Sequence, residues 1–389
     1  MEDDPATLLF DKANNLVESP ANRARYRQIA ESLRQAILSG AYRPGDRLPT
    51  EMELARAHSV SRVTAGSALT ELARAGLVTR APRRGTIVQA AGRYAREEAR
   101  PLVAWIVRRI ESTFNFGILQ GVQSGVREAG FGLLLGQSGD THEEEGTAIR
   151  DSVAAGTSGI MIFIQDGESY NAEVLRLVLE NYPVVLVDRY LRGVRCAVVS
   201  SDNEGGSREL VQALLNAGHR RICLLTFPPG HTSTIEDRLR GYVGALTLAG
   251  VPVDYSLHYV VSSDAEADPW WEPAPDVVRA FADFLLTHPD VSAVYATNAF
   301  LALVAFRAIE LLELRIPEDI SFVCIDPLEA IPLSLPAVTC CVQQADAIGR
   351  TAVALLREML AGKPPRTVFL PMILRDHGSI GRPVRRASE

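Results

Sequence analysis

Guanidinium groups carry the first chemistry that this sequence suggests. Between residues 21 and 96 there are 14 Arg against 5 acidic residues, a net charge of +9, while the chain as a whole is −7. Residues 1–20 contribute −4, so residues 97–389 carry −12. A basic segment joined to an acidic body is the charge signature of a nucleic-acid-binding module attached to a domain with a different partner. Lys occurs only at Lys12 and Lys363, so a bias toward Arg explains its use over Lys but not the local excess of base over acid. Within the segment, Arg62 follows Ser61 at the expected start of a helix, and Arg83-Arg84-Gly85 sit at the expected tip of a hairpin. A guanidinium presents a planar fork of donors that matches guanine edges and phosphates.

Other chemistries are weakly represented. No HExxH, GxSxG or phosphate-loop pattern is present, and His142, His219, His231 and His258 are scattered. The five cysteines, Cys196, Cys223, Cys324, Cys340 and Cys341, lack CxxC spacing and lie in or beside apolar runs, which predicts buried reduced thiols rather than a metal or disulfide site. A pyridoxal-phosphate body needs a Schiff-base lysine, and none lies between Lys12 and Lys363. We therefore expect no cofactor, no metal and no catalysis. An acidic N-terminus and the lack of any apolar run near 20 residues argue against a secretory signal or a membrane span, so a cytoplasmic protein is expected.

The elements that would position the arginines are legible. Tyr26, Ile29, Leu33 and Ile37 recur at helical spacing up to Gly40, and Pro44-Gly45-Asp46 makes a turn. Thr50 and Glu53 form a capping-box pattern for a second helix, whose apolar face begins with Met52, Leu54 and Ala55. Ser61 caps a third helix, 62–75, with Val63, Ala68, Leu69 and Leu72 expected inward and Arg62, Thr64, Gly66 and Ser67 outward. Gly76 suits a left-handed cap, and 77–80 and 86–89 alternate as a hairpin. This is a winged helix-turn-helix, a shape that places one helix in the DNA major groove. Residues 24–90 resemble the GntR family along their whole length, through PGDRLP, E-x-E-L-A, VSR-x-T and RGT-x-V. The resemblance implies base contacts at the start of the third helix and minor-groove contacts at the wing. The DNA-facing candidates are Arg47, Thr50, Ser61, Arg62, Thr64, Ser67, Arg83, Arg84, Gly85 and Thr86. Met52 and Gly66 stand where the family often has Arg.

After residue 100 the pattern changes. Apolar runs at 102–107, 133–135, 159–164, 184–187, 221–226, 293–296 and 320–325 alternate with helical stretches. Uninterrupted Val, Ile and Leu suit strands buried on both faces, and repeated βα units predict a doubly wound parallel sheet, here long enough for two lobes. YPVVLVDR, VSSDNEGGSRELVQALLNAGHRRICLL, EDRLRGYVGAL, VYATNAFLAL and IPEDISFVCIDPLE resemble the LacI/GalR effector domain, which is periplasmic-binding-protein-like. Joined to a GntR-type module, this is similar to chimeric arabinose repressors.

The expected organisation is a leader at 1–22, the winged helix at 23–90, a linker at 91–100, the ligand-binding and dimerisation domain at 101–382 and a tail at 383–389. The fold class is α/β. The resemblance implies a homodimeric, ligand-responsive repressor on double-stranded operator DNA, with a sugar or sugar derivative held between the lobes. Its ligand candidates are Phe114, Asp188, Arg238, Trp270 (or Trp271), Asn298, Asp326 and Gln343. Ala299 and Pro327 stand where the family usually has Asp, which thins the acidic hydroxyl acceptors and opens the site to a phosphorylated or acidic sugar. The competing expectation is a sugar-modifying enzyme with an accessory DNA-binding domain.

Overall fold

The computed structural model describes residues 22–81, 85–89, 100–110, 112–165, 170–228, 230, 232–262, 273–328 and 337–384. It divides into two compact units, Met1–Ala99 and Arg100–Glu389. Among the predicted site residues, Arg83, Arg84 and Trp270 (with Trp271) lie outside the described residues, as does His231.

The first unit holds α1 (Asn22–Leu38), α2 (Glu51–Ala57), α3 (Arg62–Arg74), β1 (Val78–Ala81) and β2 (Gly85–Val88). Helices α2 and α3 start where polar side chains satisfy the free N–H groups of a first turn. Thr50 and Glu53 form the reciprocal capping box on α2, and Ser61 Oγ accepts from Thr64 N at 3.1 Å on α3. Gly76 takes φ 70° and turns α3 into β1. The hairpin is antiparallel, with Val78 opposite Val88. Residues 45–48 run along its other edge, where Leu48 N donates to Thr86 O and Gly45 N to Val88 O, both at 2.9 Å. Ile29, Leu33, Leu48, Leu54, Leu69 and Leu72 fill the core.

Four inward–outward expectations need correction. Val63 is 78% exposed, whereas Thr64 and Ala65 are buried with Ala68, Leu69 and Leu72. At 100° per residue, Val63 lies about 140° from Ala68, so the two cannot share a face, while Thr64 precedes Ala68 by one turn. Thr64 is thus an inward residue of the cap, its hydroxyl 2.8 Å from that of Ser61. Met52 is outward at 56% exposure, with Leu54 taking the core position of α2. Thr86 is buried beside Val88, because burial alternates along β2 and only Gly85 and Ile87 take the other face.

The second unit has two lobes. In chain order the first is built from β3 (Leu102–Val107), α4 (Thr113–Ala129), β4 (Gly132–Gln137), α5 (His142–Ala154), β5 (Gly159–Ile162), α6 (Ala172–Leu179), β6 (Val184–Val187) and β7 (Ala197–Ser201). The second follows with α7 (Asn203–Asn216), β8 (Ile222–Thr226), α8 (Ser233–Leu248), β9 (His258–Val260), α9 (Pro275–Thr287), β10 (Ala293–Ala296), α10 (Ala299–Leu311), β11 (Ser321–Ile325) and β12 (Thr339–Val342). The chain then returns with α11 (Ala345–Leu360) and β13 (Thr367–Leu370), and ends on the second lobe with β14 (Ile373–Arg375). The sheet orders are β13-β7-β6-β5-β3-β4 and β14-β12-β11-β10-β8-β9. All pairings in these sheets are parallel except that of β14 with β12. The strands β5, β6, β7, β8, β10 and β11 are buried at every position, as the apolar runs of β5, β6 and β10 require; β7, β8 and β11 also bury the hydroxyl residues Ser200, Ser201, Thr226 and Ser321.

Each lobe has one helix pair pressed together through glycine. A methyl group on Gly121 of α4 would collide with the Asp346 carbonyl, and one on Gly349 of α11 with the Ile118 carbonyl. In the second lobe a methyl on Gly241 of α8 would strike the Glu204 carbonyl of α7. Because α11 follows β12 yet joins the first lobe's core through Ile348, Ala352 and Val353, it fastens the C-terminal half of the chain to the N-terminal lobe.

Candidate functional sites

On the first unit, Arg62 opens α3 with its side chain 75% exposed and its Nε 3.2 Å from Glu51 Oε2. Arg80 of β1 reaches the other oxygen of Glu51 and donates from Nη1 to Thr70 Oγ1 at 3.0 Å. Glu51 therefore sits between two guanidiniums, and the hydrogen bond from Arg62 leads the causes that hold its carboxyl below the usual range. Gly66 makes room for this arrangement, since a Cβ there would lie 3.2 Å from Glu51 Oε1. Ser67 is exposed on α3, with its hydroxyl donated back to Val63 O at 3.0 Å. At the base of the wing, Gly85 takes φ 85°, and a Cβ would come within 2.5 Å of Arg47 Nε. Both the left-handed backbone and the close approach of Arg47 require glycine there. The sequence reading missed Glu51 and Arg80. Their pairing links residues 29 positions apart and leaves no local periodicity to detect.

In the second unit, residues at or just beyond the carboxyl ends of strands of both lobes meet, as Ser201 does with Gln343, and strand carboxyl ends are where open parallel sheets bind ligands. Arg238 of α8 is 7% exposed. Its Nε donates to Asn203 Oδ1 at 2.8 Å and its Nη1 to Thr297 O at 2.7 Å, which orients the fork from two sides. Asn203 opens α7 at the first crossing between lobes and is itself held, donating from Nδ2 to Ser201 O at 3.1 Å. Next to Thr297, the Asn298 side chain accepts from Leu301 N at 2.8 Å as the cap of α10, so its oxygen is committed to the helix.

Asp188 and Asp326 occupy equivalent places in the two lobes. Each follows a central strand with a left-handed backbone, φ 67° and 64°, and each donates its backbone N–H to the next strand, to Val199 O at 2.8 Å and Cys341 O at 3.0 Å. Asp188 is 5% exposed. The Asp326 carboxylate accepts from Gln343 N at 3.0 Å and Gln343 Nε2 at 2.7 Å, and Gln343 Oε1 accepts from Ser201 Oγ at 2.8 Å. Asp326, Gln343 and Ser201 thus tie two of the lobe crossings together. Gln344 Nε2 donates to Pro371 O at 2.7 Å and ties in the third. Phe114 is half-buried against the first lobe's core.

A second set of contacts joins the lobes away from these crossings. The Tyr190 hydroxyl, following β6, donates to the Asp237 carboxylate at 2.9 Å, and Tyr190 N donates to Ser233 Oγ at 3.0 Å. Burial pushes both the Asp237 carboxyl and the Tyr190 phenol above their ordinary values. Arg192 adds an ion pair to Glu236 at 2.5 Å. Tyr190, Asn203 and Asp237 were not selected from sequence, although Asp237 and Asn203 lie inside the EDRLRG and VSSDNEGG segments that carried the resemblance.

All five cysteines are buried thiols; burial pushes Cys196 up to about 11 and Cys341 to about 12, so neither is a thiolate at neutral pH. Among the described residues no group of three or more His, Cys, Asp or Glu is arranged to hold a metal, and no helix is long and apolar enough to cross a membrane.

Comparison with known proteins agrees with both units. Residues 25–88 match the model of bacterial regulatory proteins of the gntR family, and residues 211–380 match that of a periplasmic binding protein-like domain. The arabinose metabolism transcriptional repressor of Geobacillus stearothermophilus is 30% identical over 316 residues, spanning 78% of this chain and 82% of the relative. The chain belongs to this family of transcriptional regulators, in which a GntR-type winged helix is joined to a periplasmic-binding-protein-like body. The regulator is also 30% identical to the HTH-type transcriptional regulator CelR of Thermobifida fusca over 271 residues, 68% of this chain and 74% of that one. A solved CelR–cellobiose complex superposes with a TM-score of 0.63 at 24% identity, covering 85% of this chain and all of that one. A LacI family regulator from Mycobacterium smegmatis gives 0.61 at 23% identity, covering 72% of this chain and all of that one. These two establish the regulator's fold. Its first unit is the part that binds operator DNA.

Proposed function

We propose that the protein is a repressor whose hold on its operator is controlled by a sugar or sugar derivative bound between the lobes of the second unit. The observation that carries the reading is Arg238. A guanidinium has five N–H donors, and two of them are engaged within the described residues, which leaves three for a ligand in a buried, preoriented fork. Support also comes from the relatives, one named for arabinose metabolism and another solved with cellobiose. In this reading Asp188, Asn298 and Phe114 complete the ligand's surroundings, whereas Asp326 and Gln343 act at the lobe crossings that a ligand must rearrange. Arg62, Arg47, Ser61, Thr50, Ser67 and the wing at Gly85 face DNA. The protein works as a cytoplasmic homodimer, presenting two winged helices to two half-sites, and it binds its effector without turning it over. Control requires that the ligand favour one arrangement of the lobes over another; a coupling of about 1–3 kcal/mol is typical.

The test is a thermal-shift screen of neutral sugars, sugar acids and sugar phosphates, followed by operator-binding titrations with each hit. A specific ligand raises the melting temperature by mass action and changes operator affinity by about 5- to 150-fold. If no carbohydrate stabilises the protein, or if every one that does leaves operator affinity unchanged, the reading is wrong.

A further inference from the structure

We infer that Val63 reads a thymine methyl group in the operator. An apolar, β-branched side chain that is 78% exposed in the first turn of the helix is poorly placed for folding, since it contributes nothing to the core. Its surroundings explain what it faces. Arg62, next to it, is 75% exposed. One turn on, Gly66 adds no side chain, and Ser67 draws its hydroxyl back to the Val63 carbonyl at 3.0 Å. The isopropyl group is therefore the projecting feature of that face of α3. It lines an open groove of about 700 Å³ together with Gly66 and Ser67, and Arg27, Arg74 and Arg80 also contribute to that groove, as does the carboxylate of Glu71. Three guanidiniums against one carboxylate around an apolar point fit a duplex, whose phosphates flank a major groove in which the thymine 5-methyl is the apolar group on the base edges. Val63 is thus a specificity residue beside Arg62: the guanidinium meets donor–acceptor edges and the isopropyl meets a methyl.

The experiment uses the full chain. Operator half-sites are selected from a random duplex library, and each thymine of either strand is then replaced singly by deoxyuridine, which pairs identically and lacks only the methyl. At one thymine per half-site the wild-type protein loses about 4-fold in affinity, the value of one buried methyl. In V63A that penalty disappears, and V63A binds the thymine site about as weakly as the wild type binds the uracil site. V63T, which keeps the shape but replaces a methyl with a hydroxyl, also discriminates less. The exposed position leaves the melting temperature of both variants unchanged. A uracil penalty that persists at full size in V63A, or a selected site indifferent to uracil at every thymine, overturns the assignment of Val63 alone. Failure to select any sequence overturns it together with the DNA-reading role of the first unit.

Discussion

The two units handle the same side chain in opposite ways. On the winged helix, Arg62 is 75% exposed and paired to a carboxylate at the surface; in the two-lobed body, Arg238 is 7% exposed and fixed by Asn203 and Thr297. An exposed ion pair contributes at most about 1 kcal/mol, so the Arg62 guanidinium can exchange Glu51 for a base or phosphate at little cost. A buried guanidinium cannot be redirected so cheaply, because every donor it turns away from the protein must find another acceptor. The surface arginine suits a partner that supplies its own strong acceptors. The buried one suits a small ligand that must meet donors already in position.

The tight helix contact in the first lobe of the body gives the largest expected effect. Gly349→Ala puts a methyl into the Ile118 carbonyl, where α4 and α11 touch backbone to backbone. It should cost about 3 kcal/mol or more in unfolding free energy, measured by chemical denaturation. A loss below about 0.5 kcal/mol would mean that the two helices have room to part, and that the first lobe is soft at this contact.

Arg238→Ala and Arg62→Ala test the contrast directly. Losing Arg238 should weaken effector binding about 100-fold and also lower stability, since Asn203 and the Thr297 carbonyl lose a charged partner. Losing Arg62 should weaken operator binding about 10-fold with no change in melting temperature. Calorimetry, operator titration and thermal melts on both variants separate the cases. If R62A melts lower by as much as R238A does, the distinction between an exchangeable and a fixed guanidinium fails.

The two units also differed in how much could be read from the chain. In the body, runs such as 102–107 and 184–187 needed no partner to be recognised as strands, because burial on both faces removes every polar position. In the winged helix the caps at Thr50 and Ser61 and the turn at Gly76 were legible, since each is satisfied within a few residues. The phase of α3 was not. Thr64 reads as polar but spends its hydroxyl on Ser61, so hydropathy alone set Val63 inward and Thr64 outward. The same limit applies in the cleft. Asn298 and Asp326 were ligand candidates through the family resemblance, which says nothing of their local bonds, and there the Asn298 oxygen caps α10 while Asp326 holds Gln343. Strands β7, β9, β12, β13 and β14 were not separately anticipated; they are short, and β13 and β14 are added to each sheet's edge only after the chain has crossed back.

A second buried charge sharpens the comparison at the smallest scale. Glu145 of α5 is fully buried; its Oε1 accepts from Gln165 N at 2.7 Å and its Oε2 from Asn171 Nδ2 at 2.8 Å, with His142 Nδ1 3.6 Å away. It thus holds the segments on either side of the β5–α6 connection to α5. Burial, the leading cause, pushes this carboxyl above its ordinary value despite the two donors. A carboxyl whose native pKa exceeds its unfolded one binds its proton more tightly when folded. Its contribution to stability is greatest below the unfolded value and is lost as pH rises through the native one. Wild-type stability should therefore fall from the ordinary carboxylate range toward neutrality by more than that of Glu145→Gln, which cannot ionise. The variant should also start about 1 kcal/mol lower, because its amide turns a donor toward a donor. Denaturation midpoints at several pH values between 4.5 and 8 measure both effects. Equal pH slopes in the two proteins would show that Glu145 titrates as an exposed carboxylate does, and that the two-lobed body fixes a buried guanidinium at Arg238 without penalising a buried carboxylate at Glu145.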